Sequence, residues 1–157
     1  MKNEMEGLSI NGMVVKGTSR GRSMGFPTAN ILLTKQTLPQ NGVYQTKVKI
    51  DGKIYEAITN IGTNPTFGSG QINVESHIFD FDSNIVGKNI EIEFVKFIRN
   101  EKKFDSVNEL VAQIKLDIEQ VLSCDFTQTL HNFDCRFYKT LLFLLLLSSN
   151  FRYICVM

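Results

Sequence analysis

Asp51-Gly52 separates two runs, residues 42–50 (GVYQTKVKI) and 53–61 (KIYEAITNI), that read as extended strands. In the first run Val43, Gln45, Lys47 and Lys49 alternate with Tyr44, Thr46, Val48 and Ile50, the period of a strand with two unlike faces. Both central residues of a type I′ turn need positive φ, which Gly adopts freely and Asp tolerates, so the pair specifies a two-residue hairpin. An antiparallel sheet is therefore the starting point. Similar strands are expected at 9–15, 29–33, 73–81 and 89–98, and six short strands with polar turns point to a closed antiparallel barrel.

One helix is expected after them. Ser106-Val107-Asn108-Glu109 fits the S-x-x-E capping box, and Val107, Leu110, Val111, Ile114, Ile118, Val121 and Leu122 recur at helical spacing. That apolar stripe should lie against the barrel. At 157 residues, with 43% hydrophobic and 21% charged, the chain has the make-up of one globular domain. Seventeen Lys+Arg against sixteen Asp+Glu leave a net charge of +1, which gives no global field for nucleic acid or a membrane surface. An anion has to be held locally.

Three cysteines, Cys124, Cys135 and Cys155, show no C-x-x-C spacing, which argues against a zinc site or a disulfide framework. The first residues, MKNEMEGLSING, contain two acids and no apolar core of a secretory signal, so the expected setting is cytoplasmic. Composition changes near residue 124. All eleven glycines and all three prolines precede it, while 125–157 hold five of twelve phenylalanines and the run LLFLLLL at 141–147. Only twelve uncharged residues separate Lys139 from Arg152, too few for a spanning helix, which needs roughly 20. The expected division is thus 1–124 as a domain and 125–157 as an atypical hydrophobic tail, either a buried helix or an appendage such as a shifted reading frame.

The most informative segment for chemistry is 17–31, GTSRGRSMGFPTANI. Gly17, Gly21 and Gly25 let the backbone bend and turn N–H groups toward a ligand, while Lys16, Arg20 and Arg22 add positive charge. This can cradle a polyphosphate, although such a loop also occurs as a plain solvated turn. It matches neither G-x-x-x-x-G-K-[ST] nor G-x-G-x-x-G. In Phe26-Pro27-Thr28-Ala29-Asn30, Thr28 and Asn30 lie two apart on an extended strand and present their oxygens to one side, as hard Mg²⁺ prefers. By themselves they read equally as a β-former and a local backbone partner.

Residues 25–30, Gly-Phe-Pro-Thr-Ala-Asn, resemble the signature of the riboflavin kinase (flavokinase) family, including the kinase domain of bifunctional riboflavin kinase/FAD synthetase enzymes. Family-like stretches follow in order: Leu38-Pro39 with Gly42-Val43-Tyr44, Asn60-Ile61-Gly62, Asn64-Pro65-Thr66-Phe67, Val74-Glu75-Ser76-His77, then Ile98-Arg99 with Glu101, Lys103 and Phe104. The resemblance spans about residues 12–122 and implies a mainly β fold, a six-stranded antiparallel Greek-key (split) barrel with a C-terminal α-helix. It also implies transfer of the ATP γ-phosphate to the ribityl 5′-hydroxyl of riboflavin, giving FMN. On this resemblance Thr28 and Asn30 hold Mg²⁺ and the phosphates, and Glu75 is the general base. Lys16, Gly17, Arg20, Arg22, Gly25, Pro27, Asn60 and Gly62 belong to the ATP side, and Arg99, Glu101 and Phe104 to the flavin side. His77, which shares the strand face of Glu75, is expected to have a structural role.

Family members are often fused to an FAD synthetase domain, so a longer parent chain is one expectation and a stand-alone kinase the other. Two alternatives remain: a catalytically silent flavin- or nucleotide-binding module, and an oligonucleotide-binding barrel. The near-zero net charge speaks against the last.

Overall fold

The computed structural model describes residues 7–17, 20–34, 36–63 and 72–130. Asn64-Pro65-Thr66-Phe67, His131, Cys135, Cys155 and the run at 141–147 lie outside them. The elements are β1 (Ser9–Val15), α1 (Arg20–Ser23), β2 (Ala29–Leu33), β3 (Gly42–Ile50), β4 (Lys53–Thr63), β5 (Ile72–Ile78), β6 (Asn89–Arg99) and α2 (Val107–Leu130). The six strands close into a barrel in the order β1-β2-β5-β4-β3-β6, every neighbouring pair antiparallel. β3, β4 and β5 form a meander and β6 returns beside β3, which is the Greek-key arrangement.

The β3–β4 hairpin turns at Asp51 (φ 50°) and Gly52 (φ 81°), both positive as a type I′ turn requires, and Ile50 pairs with Lys53. Alternation places Ile10 and Val14 of β1, Tyr44 and Val48 of β3, Ile61 of β4, Val74 of β5, and Ile92 and Phe94 of β6 in the barrel interior. Three hydroxyls share that interior. Thr59 Oγ1 lies 2.7 Å from both Thr46 Oγ1 and Ser76 Oγ, and all three residues are fully buried.

β5 stops at Ile78 rather than at residue 81, because Phe79 and Asp80 turn, with Asp80 at φ 51°. α2 starts where the capping box expects it: the Glu109 N–H donates to Ser106 Oγ at 3.2 Å. The reciprocal bond is shifted by one residue, from the Asp105 N–H to Glu109 Oε2 at 3.4 Å. Of the expected stripe, Val121 is buried whereas Val107 and Leu122 are exposed, and Asp117 is buried in their stead. By compactness the chain divides into Met1–Val121, which holds the barrel and the start of α2, and Leu122–Met157, of which only the end of α2 is described.

Candidate functional site

Where Ile31, Val74 and Ile61 point inward, their neighbours Asn30, Glu75 and Asn60 must point to the outer face. The register sets these three side by side: Asn30 is opposite Glu75 across β2 and β5, and Glu75 is opposite Asn60 across β5 and β4. The same row continues to Val15 on one side and to Val43 and Arg99 on the other. Directly opposed residues in an antiparallel sheet have Cβ atoms about 4.5–5.5 Å apart, so two amides flank the carboxylate.

β5 also fixes the carboxylate from its own outer face. Asn73, two residues before Glu75, donates from Nδ2 to Glu75 Oε1 at 2.7 Å. Two residues after it, His77 places Nδ1 2.8 Å from the Pro27 carbonyl, and its ring meets Phe26 edge-on at 5.6 Å between centroids. The Phe26-Pro27-Thr28 turn is thereby tied to β5. The expected structural role of His77 has a specific content here.

Upstream, the basic loop turns through α1, a single helical turn not foreseen from the sequence, and reverses at Gly25 with φ 87°. The Phe26 N–H donates back to the Gly21 carbonyl at 2.8 Å. Gly17 is required by crowding: a Cβ there would come within 2.1 Å of Asn30 Nδ2. The loop backbone thus lies directly on the Asn30 amide.

Two cavities meet at this point. A groove of about 1180 Å³ is lined by Lys16, Gly17, Arg20, Thr28, Asn30, Asn60, Glu75, Arg99, Glu101 and Phe104 among others. A second cavity of about 850 Å³ is lined by Lys16, Gly17, Arg22, Pro27, Thr28 and Asn30 among others. Lys16, Gly17, Thr28 and Asn30 therefore belong to both. Gly25 and Gly62 line neither cavity. Gly25 serves the turn, and Gly62 lies beneath the Glu101 carboxylate, which a Cβ would meet at 2.0 Å.

The far end of the groove is built around Arg99. Its Nε lies 3.0 Å from both Asp117 carboxylate oxygens and its Nη2 lies 2.9 Å from Oδ2, a forked pair joining β6 to α2. Gln113 Nε2 also donates to Asp117 Oδ1 at 3.0 Å. Arg99 was expected on the flavin side, and here its guanidinium is engaged by α2. The pair it forms reaches a carboxylate only 3% exposed. The Phe104 ring centroid lies 5.8 Å from Arg99 Cζ and 5.4 Å from Lys102 Nζ. Asn41 Nδ2 donates to Glu101 Oε2 at 3.3 Å.

Asn73 and Asp117 are absent from the sequence reading. Asn73 carried a signal, since an amide two residues before an acid on a strand shares its face. Asp117 carried another: Leu110, Ile114, Asp117 and Val121 follow helical spacing, so an acid occupied an apolar stripe. For Mg²⁺, the donor set at the cavity junction is the Thr28 hydroxyl and the Asn30 amide, and the described residues contain no cluster of three or more His, Cys, Asp or Glu suited to a metal. Two neutral oxygens suit a cation held mainly by substrate phosphates and water.

A family model described as Flavokinase: Riboflavin kinase matches residues 5–124. The bifunctional riboflavin kinase/FMN adenylyltransferase of Haemophilus influenzae is 45% identical over 111 residues, 70% of this chain and 36% of that protein. Its counterpart from Bacillus subtilis is 40% identical over 117 residues, 72% of this chain and 37% of that protein. The chain thus spans little more than a third of the length of these relatives. A crystal structure described as a macrolide-efflux protein from Streptococcus pneumoniae aligns with a TM-score of 0.69 and 38% identity, covering 81% of this chain and 39% of that one. Among the described residues no helix is long and apolar enough to cross a membrane. The matched stretch contains the whole polar row and the loop packed on it, and the chain belongs to the riboflavin kinase family.

Proposed function

We propose that this chain transfers the γ-phosphoryl group of ATP to the ribityl 5′-hydroxyl of riboflavin, forming FMN and ADP. The observation that carries the reading is the meeting of two cavities at Thr28 and Asn30, with Glu75 next in the row and lining only the larger. A two-substrate transfer needs such a junction. The nucleotide then takes the cavity that adds Arg22, and the flavin takes the groove that carries Arg99, Glu101 and Phe104.

Phosphoryl transfer is mostly positioning and charge stabilisation. Lys16 and Arg20, with Arg22 from the other side, offset phosphate charge, and the glycine loop brings backbone close to it. Thr28 and Asn30 would hold Mg²⁺, which would neutralise part of the phosphate charge when bound. Glu75 accepts the proton of the attacking hydroxyl as its oxygen bonds to the γ-phosphorus. The bond from that phosphorus to the bridging oxygen breaks, and ADP leaves with the electron pair. Asn73 holds one Glu75 oxygen, which orients the other for the hydroxyl.

A cytoplasmic setting goes with ATP as donor. FMN adenylyltransferase activity is paired with the kinase in the names of the relatives, of whose length this chain spans little more than a third, and the proposal for this chain covers the kinase reaction alone. Incubation with riboflavin and MgATP, followed by chromatography of the flavins, tests the proposal. Stoichiometric FMN and ADP are expected; a folded protein that yields none overturns it.

A further inference from the structure

We propose that His77 is a positioning residue for the phosphate side of the site, acting through one hydrogen bond to the Pro27 carbonyl; the inference rests on the kinase reading above. A carbonyl oxygen can only accept, so the 2.8 Å contact requires the proton to sit on His77 Nδ1. This fixes the tautomer of a ring that also lines the larger groove. Pro27 has no N–H, and its fixed φ leaves the adjoining peptide planes little freedom, so holding its carbonyl also orients the Thr28 side chain that follows.

The placement gives the bond its consequence. Asn73, Glu75 and His77 occupy alternate positions on β5 and therefore one face. Asn73 holds the carboxylate and His77 holds the turn that delivers Thr28 and Asn30. One strand thus sets the base and the phosphate-binding turn on a common scale. Without the His77 bond the turn keeps its Phe26 contact and its β2 register, yet loses the link that indexes Thr28 to Glu75.

A role in packing alone makes a different forecast, because His77 also meets Phe26 and Phe79 edge-on, at 5.6 and 5.7 Å between centroids. His77→Phe keeps a ring for those contacts and removes the donor. His77→Asn discards the ring and offers an amide N–H near the position of Nδ1. With riboflavin and MgATP as substrates, His77→Phe should raise KM for MgATP roughly tenfold and KM for riboflavin by clearly less. His77→Asn should stay within about threefold of wild type for both. If Phe behaves as wild type and Asn does not, or if both shift the two KM values alike, the bond is not what matters and the proposal falls. Long-range ¹H–¹⁵N correlation of imidazole-labelled wild-type protein near pH 8, with the His77 ring assigned by its contacts to Phe26 and Phe79, reads the tautomer without any variant. Nδ1–H is expected, and Nε2–H overturns the inference even where a variant fails to fold. Wild type that shows Nδ1–H but forms no FMN would overturn the kinase reading instead, and MgADP titration of the same variants then decides the role of His77.

Discussion

Glu75 sits between Asn30 and Asn60 with Asn73 donating to one of its oxygens, an environment that orients the carboxylate. Glu75→Gln is nearly isosteric, so fold and ligand binding should persist. The amide cannot accept the hydroxyl proton as a base, and kcat should fall about 10²- to 10⁴-fold. Steady-state kinetics beside a circular-dichroism melt checks this, and a kcat within about threefold of wild type moves the base elsewhere. The sequence made Glu75 and Asn30 visible through a family signature, but not their adjacency. They are forty-five positions apart in the chain, and strand partnership is decided by closure of the whole sheet rather than by local pattern.

Among the elements, α2 is joined to the barrel by the Arg99–Asp117 pair. Asp117→Ala leaves a guanidinium that is only 21% exposed without its carboxylate partner, and loss of one partner from such a pair costs about 3 kcal/mol, less to the extent that water reaches Arg99. Urea unfolding should show a lowered midpoint, and KM for riboflavin should rise because Arg99 and Phe104 share the groove. An unchanged midpoint would remove the pair from the account of how α2 is held. Element existence was largely legible: the Asp51-Gly52 turn and the Ser106 cap are local chemistry, and both sit where their residues require. Ends and faces were less so. β5 was read three residues too long because Phe79 and Phe81 are strand-favouring aromatics, and local pattern carries the strand past the turn at Asp80. The exposed faces of Val107 and Leu122 depend on where Asp117 is pinned, which apolar spacing does not encode.

For the molecule as a whole, closure removes every free sheet edge and frees the outer wall for chemistry, while the interior carries stability. Tyr44 belongs to that interior: its ring meets Phe94 and Phe97 edge-on, its hydroxyl donates to the Gln40 carbonyl, and burial raises its pKa. A raised value in the folded state means that stability is fully present below the unfolded tyrosine value near pH 10 and is lost as pH climbs through the folded value. Tyr44→Phe should abolish that alkaline decline in denaturation midpoints; a decline of the same size in the variant would assign it to other groups. The three interior hydroxyls carry a further asymmetry. Thr46 has one proton, and it goes to the Ala57 carbonyl at 3.4 Å. Thr59 must then donate to Thr46 and Ser76 to Thr59, a one-way relay with Ser76 at its head. Its two ends are chemically unequal. Ser76→Ala leaves only an unfilled lone pair on Thr59, whereas Thr46→Val strands the Thr59 proton in the dry interior, a difference of about 1 kcal/mol or more that paired melts of the two variants would read. Polarity of this kind gives the barrel wall behind Glu75 a sense of direction, so two substitutions that look alike on paper should not be interchangeable in the protein.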